Sequence, residues 1–220
     1  MFKAENFFRH YFLILSSICL ILTTAILVTA PRLPESAAQS LAATFTQGLL
    51  QGHAPTGIYT GRVNRLDFKH LQPGDILLGG KPKAAYGHFT HAGLYLGQGW
   101  VLEGYVDCGL SRQDVAHYHF YDWACILRVK LSPEEREKVL QYAQQQEFKP
   151  FYPAAFKTGE RYWNCTKLIW AAYRQVGIDL DAASDLWISP DALYFSPYIE
   201  IITTEGEMPS CLSSAGEYVY

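Results

Sequence analysis

Tyr162-Trp163-Asn164-Cys165-Thr166-Lys167-Leu168-Ile169-Trp170-Ala171-Ala172-Tyr173 reads as a helix that opens on a cysteine, and the placement of that cysteine decides how the rest of the chain is understood. Asn164 is a good N-cap, and Gly177, just past Val176, is a natural stop. Cys165, Leu168, Ile169, Ala172 and Val176 recur at the spacing of one helical face, so the thiol points into the protein body with the apolar stripe. Unpaired backbone N–H groups and the positive end of the helix dipole favour thiolate over thiol at such a position. Cys165 therefore has two readings: a nucleophile, or a small inert core residue of a type that is often buried.

Upstream lies His91-Ala92-Gly93-Leu94-Tyr95-Leu96, then Gly97-Gln98-Gly99, then Trp100-Val101-Leu102-Glu103-Gly104-Tyr105-Val106, a β-hairpin with a Gly-rich loop. A three-residue loop pairs Leu96 with Trp100 and puts His91, Gly93, Tyr95, Val101, Glu103 and Tyr105 on one face. Glu103 is then the diagonal neighbour of His91, within reach of its imidazole. A two-residue loop slips the register and separates them.

Around these two blocks the texture is mixed. Gln72-Pro73-Gly74-Asp75 is a turn leading into the strand Ile76-Leu77-Leu78, which Gly79-Gly80 ends. Cys125 to Lys130 reads as another strand. Ser132-Pro133-Glu134-Glu135 is a capping box with proline at the first helical position, predicting a helix to about Gln146. Pro190 starts a short helical turn, and Tyr198 to Thr203 fits a closing edge strand. The expectation is an α+β fold, a small antiparallel sheet packed against helices.

Residues 12–30 form an uncharged apolar run of about the length that crosses a bilayer. Lys3 and Arg9 ahead of it predict a cytoplasmic N-terminus over residues 1–11 and an uncleaved single-pass signal anchor, with the rest on the periplasmic or extracellular side of a bacterial inner membrane. Residues 31–57 then read as a spacer, 58–204 as the folded domain and 205–220 as a loose tail. The formal net charge of −3 with interspersed signs gives no basic footprint, so nucleic-acid binding has no support. The five cysteines make neither a disulfide scaffold nor a zinc ribbon, and nothing selects a Cys108 to Cys211 bridge over free thiols.

Thiol catalysis needs a nucleophile, a base and a group that orients the base. Cys165 at a helix start, His91 at a strand start and Glu103 on the partner strand offer one of each. The ordered blocks Pro73-Gly74-Asp75-Ile76-Leu77, Thr90-His91-Ala92-Gly93-Leu94-Tyr95-Leu96-Gly97 with Glu103, and Tyr162 to Trp170 resemble the YiiX/YebB-like cysteine hydrolases. These are circularly permuted members of the NlpC-type, papain-like peptidase and amidase superfamily. The resemblance implies a permuted papain-like fold with Cys165 as nucleophile, His91 as base and Glu103 as orienting acid. It implies hydrolysis of an amide or ester through a thioester, without a cofactor or metal, with the Cys165 N–H as one oxyanion donor. Lys167 departs from the family pattern, where an acidic residue is frequent, and would alter the charge at the cleft.

The expected substrate is a cell-wall peptide, favoured by anchoring near the wall. A lipid or N-acyl amide is the alternative, favoured by Tyr86, Phe89, Tyr105, Phe151, Tyr152, Tyr162 and Trp163 as candidate cleft residues. Two readings from other classes stand beside it. One is a metal site drawn from His88, His91, Cys108, His117 and His119; the other is a tethered binding module on an inactive scaffold.

Overall fold

The computed structural model describes residues 12–22, 24, 41–182 and 186–206. The chain divides into two compact units, Met1–Ala38 and Gln39–Tyr220. In the second unit helix α1 (Leu41–Leu50) precedes strands β1 (Ile76–Gly80), β2 (His91–Gly97), β3 (Trp100–Tyr105) and β4 (Gly109–Asp114). A 3-10 helix (Val115–Phe120), β5 (Trp123–Val129), α2 (Pro133–Gln144), α3 (Cys165–Arg174), α4 (Pro190–Tyr194) and β6 (Ile199–Gly206) follow. The strands form one antiparallel sheet in the order β4-β3-β2-β1-β5-β6. The expected α+β class with an antiparallel sheet packed against helices is what the fold shows.

Both faces of the sheet are covered. Ile76, Leu78, Ala92, Leu94 and Leu127 pack with Val139, Leu140 and Ala143 of α2 and with Leu168, Ile169 and Ala172 of α3. Leu77, Val101 and Ile126 pack on the other side with Leu66, Val115, Tyr118 and Tyr121. Central strands buried on both faces read as continuous apolar runs, which is why Ile76-Leu77-Leu78 carries no alternation.

The Gly-Asp turn has a structural task. Gly74 takes φ 97, a left-handed value that suits glycine, and Asp75, almost fully buried, accepts from Arg128 Nε at 2.7 Å and Nη2 at 2.6 Å. Asp75 also accepts the Gln72 N–H at 2.7 Å, and the Tyr173 hydroxyl donates to the Gly74 carbonyl at 2.5 Å. The start of β1 is thereby fixed to β5 and to the far end of α3.

The hairpin realises the expected face by a different route. Leu94 faces Leu102 and Tyr95 faces Val101, the register of a three-residue loop, but the pairing then shifts so that Gly97 faces Trp100. The loop is the two residues Gln98 and Gly99, with φ 55 and 83, and a bulge at Leu96 absorbs the slip. β4 has no mark in the sequence. Gly109-Leu110-Ser111-Arg112-Gln113-Asp114 has no β-branched residue, and it becomes a strand because β3 offers an edge to pair with.

The transmembrane anchor is corrected. Among the described residues no helix is long and apolar enough to cross a membrane. Residues 12–22 are helical, about 17 Å at ~1.5 Å per residue against a hydrocarbon core of about 30 Å, and residues 25–30 lie outside the described residues. The signal anchor, single-pass placement and periplasmic localisation lose their basis with it. Of the expected loose tail at 205–220, Glu205 and Gly206 are the end of β6, and residues 207–220 with Cys211 lie outside the described residues.

Candidate active site

The N-terminus of α3 is built to hold Cys165. The Asn164 side-chain oxygen accepts the Lys167 N–H at 2.8 Å, and its amide donates to the Pro153 carbonyl at 3.1 Å, so one residue caps the helix and ties the preceding loop to it. Leu168, Ile169 and Ala172 are fully buried, while Cys165 at the end of the same stripe is half-buried and opens into a cavity. Its N–H precedes the first intrahelical bond, from Leu168 to the Asn164 carbonyl, and is a donor an oxyanion at this thiol would meet.

His91, the first residue of β2, presents Nε2 to Glu103 Oε2 at 2.8 Å. The Cys165 thiol lines the same cavity as His91 and acts on its ring, and with Nε2 committed to Glu103 the nitrogen left to face it is Nδ1. The carboxylate is completely buried and saturated. Tyr118 donates its hydroxyl to Oε2 at 3.0 Å, Tyr105 donates to Oε1 at 3.1 Å, and His117 Nε2 lies 3.1 Å from Oε1. Burial favours the neutral acid, but the charge of His91 and the hydrogen bonds of His117 and His91 outweigh it, holding the Glu103 pKa at about 2. Burial likewise works against a charged His91, yet the Glu103 carboxylate and the bond to Cys165 raise its pKa to about 10. The arrangement lines up a thiol, an imidazole and a carboxylate in the order that thiol catalysis uses.

Tyrosines enclose the imidazole. Tyr105 stacks on His91 with ring centroids 5.0 Å apart and Tyr121 stacks at 6.3 Å. Burial pushes the pKa of Tyr105, Tyr118 and Tyr121 up, so they stay neutral donors around the charged pair. Gly93 makes room for the relay: a Cβ there would lie 2.9 Å from Glu103 Oε2 and 2.6 Å from the Tyr118 hydroxyl.

The structure thus brings Cys165, His91 and Glu103 together. Tyr118 and His117 complete the carboxylate's shell. Sequence reasoning misses Tyr118 and gives His117 only a metal role; the available signal is the Asp114 N-cap ahead of Val115-Ala116-His117-Tyr118, whose side chain accepts the Ala116 N–H at 2.8 Å. Lys167 does not charge the cleft. Its ammonium donates to the Gly159 carbonyl at 2.6 Å and the Tyr162 carbonyl at 2.9 Å and stands 4.9 Å over the Trp163 ring, binding the preceding loop. Of the aromatic candidates Tyr86, Tyr105 and Phe151 line the cavity, Phe89 and Trp163 are core, and Tyr152 and Tyr162 pair with each other on the surface.

The proposed metal ligands do not converge as a set. His88 pairs with Asp191 at 2.9 Å, His119 faces the Leu66 carbonyl at 3.0 Å and Cys108 sits beside Ser111 at 3.2 Å. His91, Glu103 and His117 do place ligand atoms within 4.8 Å of one another. Both Glu103 oxygens, however, already accept two partners each, and a cation would have to displace them. In this arrangement the cluster fits a hydrogen-bonded relay better than a resident metal.

The cavity holds about 690 Å³ beside Cys165 and His91. It is walled by α1, by Phe151, Pro153 and Ala154 and by Trp187, Ile188 and Pro190, and its volume is within the ordinary range for small-molecule sites. Among the described residues Cys108, Cys125 and Cys165 are free thiols, and Cys165 is the one in this cavity.

No protein-family model and no curated protein sequence matches the chain. Among solved structures it is similar to the crystal structure of YiiX, described as a metalloprotein of Escherichia coli O157:H7 and as DUF1105. The TM-score is 0.50 at 17% identity, over 63% of this chain and 98% of that one. At that identity the likeness speaks to architecture, and what it establishes is that the chain has a YiiX-like fold.

Proposed function

We propose that the chain is a cysteine hydrolase that cleaves an amide or ester by acyl transfer through Cys165. The observation that carries this is the 2.8 Å bond from His91 to a fully buried Glu103, with the Cys165 thiol in the same cavity as the ring. The Cys165 sulfur attacks the carbonyl carbon and forms a C–S bond, and the oxyanion meets the helix-start N–H. His91 Nδ1–H gives its proton to the leaving nitrogen or oxygen as that bond breaks. Water then attacks the thioester, His91 takes the proton, and the acid leaves with the thiolate restored.

The likeness in fold to YiiX is compatible with this chemistry. The case for a wall peptide rests on an anchor that the described residues do not contain, whereas the apolar cavity supports an acyl group.

Alkylation with iodoacetamide followed by peptide mapping tests the reading. Cys165 should label at least tenfold faster than the exposed Cys108, and His91→Ala should remove the advantage. Equal rates at both thiols would overturn it and favour the inactive binding module. A metal reading has one specific support, the His91–Glu103–His117 cluster in a fold whose neighbour is called a metalloprotein. A stoichiometric metal in purified protein, lost in His117→Ala, would establish that reading instead.

A further inference from the structure

Cys165 and His91 come from different elements, and each is the first residue of its own, α3 and β2. One short segment is bonded to the start of both. The Thr166 hydroxyl, one residue past the thiol and almost fully buried, donates to the Ile188 carbonyl at 2.7 Å. Three residues further on, Asp191 reaches the loop that leads into β2. Its carboxylate accepts the His88 N–H at 2.9 Å and the Phe89 N–H at 2.8 Å, and it meets His88 Nδ1 at 2.9 Å. Residues 188–191 therefore run from the helix of the thiol to the strand of the imidazole.

The segment is held at both ends. Ser189 caps α4 by accepting the Ala192 N–H at 3.0 Å, Pro190 opens the helix, and the buried Tyr194 packs on Phe89 with ring centroids 5.2 Å apart. On the receiving side Gly87, at φ 144, lets the carboxylate come up to the backbone, since a Cβ there would fall 2.7 Å from Asp191 Oδ2. The Trp123 indole donates to the His88 carbonyl at 3.1 Å and the Thr90 N–H to the Gly79 carbonyl at 2.8 Å, so little slack is left between the carboxylate and His91. Ile188 and Pro190 line the cavity and Asp191 does not, so an effect of Asp191 on the thiol has to pass through this loop.

Resting on the hydrolase reading, we propose that Asp191 is a positioning residue. With Thr166 at the other end, it makes residues 188–191 a strut that sets the distance and angle between the Cys165 thiol and the His91 ring. Packing of α3 on the sheet brings the two elements together, and the strut fixes where their first residues stand. The carboxylate suits the task because a charged acceptor binds N–H groups more strongly than a neutral one.

Iodoacetamide labelling of Cys165 in the folded protein tests this, with the exposed Cys108 as internal reference. Misplacing a reacting pair by about 1 Å can cost about 10²-fold, so Asp191→Ala, which frees the loop, should slow Cys165 by about tenfold or more. Asp191→Asn, whose amide oxygen still accepts backbone N–H groups, should recover most of the rate. Thr166→Val should slow labelling as Asp191→Ala does. Two cuts in one strut release the same constraint, so the double variant should be slower by about tenfold, whereas independent losses would multiply to about a hundredfold. The pH at which labelling is half-maximal should rise in Asp191→Ala, because a displaced imidazole no longer favours the thiolate; lower stability alone does not move that midpoint in protein that circular dichroism shows to be folded. Labelling of Asp191→Ala within about twofold of wild type, an Asp191→Asn variant as slow as Asp191→Ala, or a double variant slowed by the product of the single losses overturns the proposal. Selective labelling in wild type that Asp191→Ala leaves unchanged removes the strut and keeps the hydrolase. A wild-type Cys165 that labels no faster than Cys108 removes both.

Discussion

His91 Nε2 meets Glu103 Oε2 at 2.8 Å, and the carboxylate that holds the ring has no exposure to solvent. A glutamate so placed cannot serve as a surface charge; its two oxygens are committed to His91, Tyr118, Tyr105 and His117. On the proposed hydrolase reading its task is to fix which nitrogen of His91 faces the thiol and to stabilise the imidazolium.

Glu103→Gln isolates that task. The amide keeps the volume but turns one acceptor into a donor facing the Tyr118 or Tyr105 hydroxyl. The rate of Cys165 alkylation at neutral pH should fall by about 10²-fold or more, on the scale that loss of an orienting carboxylate produces. Folding measured by urea should weaken by only about 1–3 kcal/mol. Alkylation within threefold of wild type would show that the carboxylate is structural alone.

Gly93→Ala probes the same pair from the backbone side. The new methyl would fall 2.3 Å from Val101 Cγ1 and 2.9 Å from Glu103 Oε2, in a sheet buried on both faces. Overpacking of this kind costs about 1–3 kcal/mol, and it should push Glu103 off His91. Thermal unfolding should drop and Cys165 labelling should slow together. Full labelling in a destabilised variant would mean the relay does not depend on that gap.

The charged pair also fixes a stability profile. Glu103 titrates at about 2 in the fold against 4.5 as a free group, so the unfolded chain binds more protons between these values and stability rises with pH there. His91 titrates at about 10 against 6.5, so the fold holds the extra proton in that window and stability falls as pH rises from 6.5 towards 10. Urea midpoints should therefore be highest between pH about 4.5 and 6.5, and His91→Gln should flatten the alkaline decline relative to wild type. An alkaline slope unchanged in His91→Gln would assign it to other groups.

The parts of this site legible in the sequence are those carried by short-range rules. Asn164 as N-cap, the apolar stripe behind Cys165, the capping box at Ser132 and the shared face of His91 and Glu103 follow from local spacing, and the fold contains them all. The hairpin face comes out as expected although the loop is two residues long, because a bulge at Leu96 compensates; no local rule announces such a bulge. Tyr118 and His117 reach Glu103 from the 3-10 helix that follows β4, a contact between side chains more than ten residues apart that has no local signature. Lys167 misleads for a related reason: its charge reads as a cleft feature until the fold supplies the Gly159 and Tyr162 carbonyls that absorb it.

Lys167 yields the last prediction. The residue is almost fully buried, its ammonium is satisfied by loop carbonyls, and it shares the Trp163 ring with Lys149, which stands 5.1 Å over it. Burial and the nearby Lys149 lower its pKa against the opposing pull of Glu160. Lys167→Met keeps the stem and removes the donors, leaving the Gly159 and Tyr162 carbonyls short of a partner, at a cost of about 1.5–3 kcal/mol in urea unfolding. The loop between Thr158 and Tyr162 should become more susceptible to limited proteolysis, since the ammonium is what draws its carbonyls together. The Cys165–His91 pair should still label selectively, because Lys167 does not line the cavity. A variant that is as stable and protease-resistant as wild type but has lost selective labelling would place the charge of Lys167 in the chemistry after all.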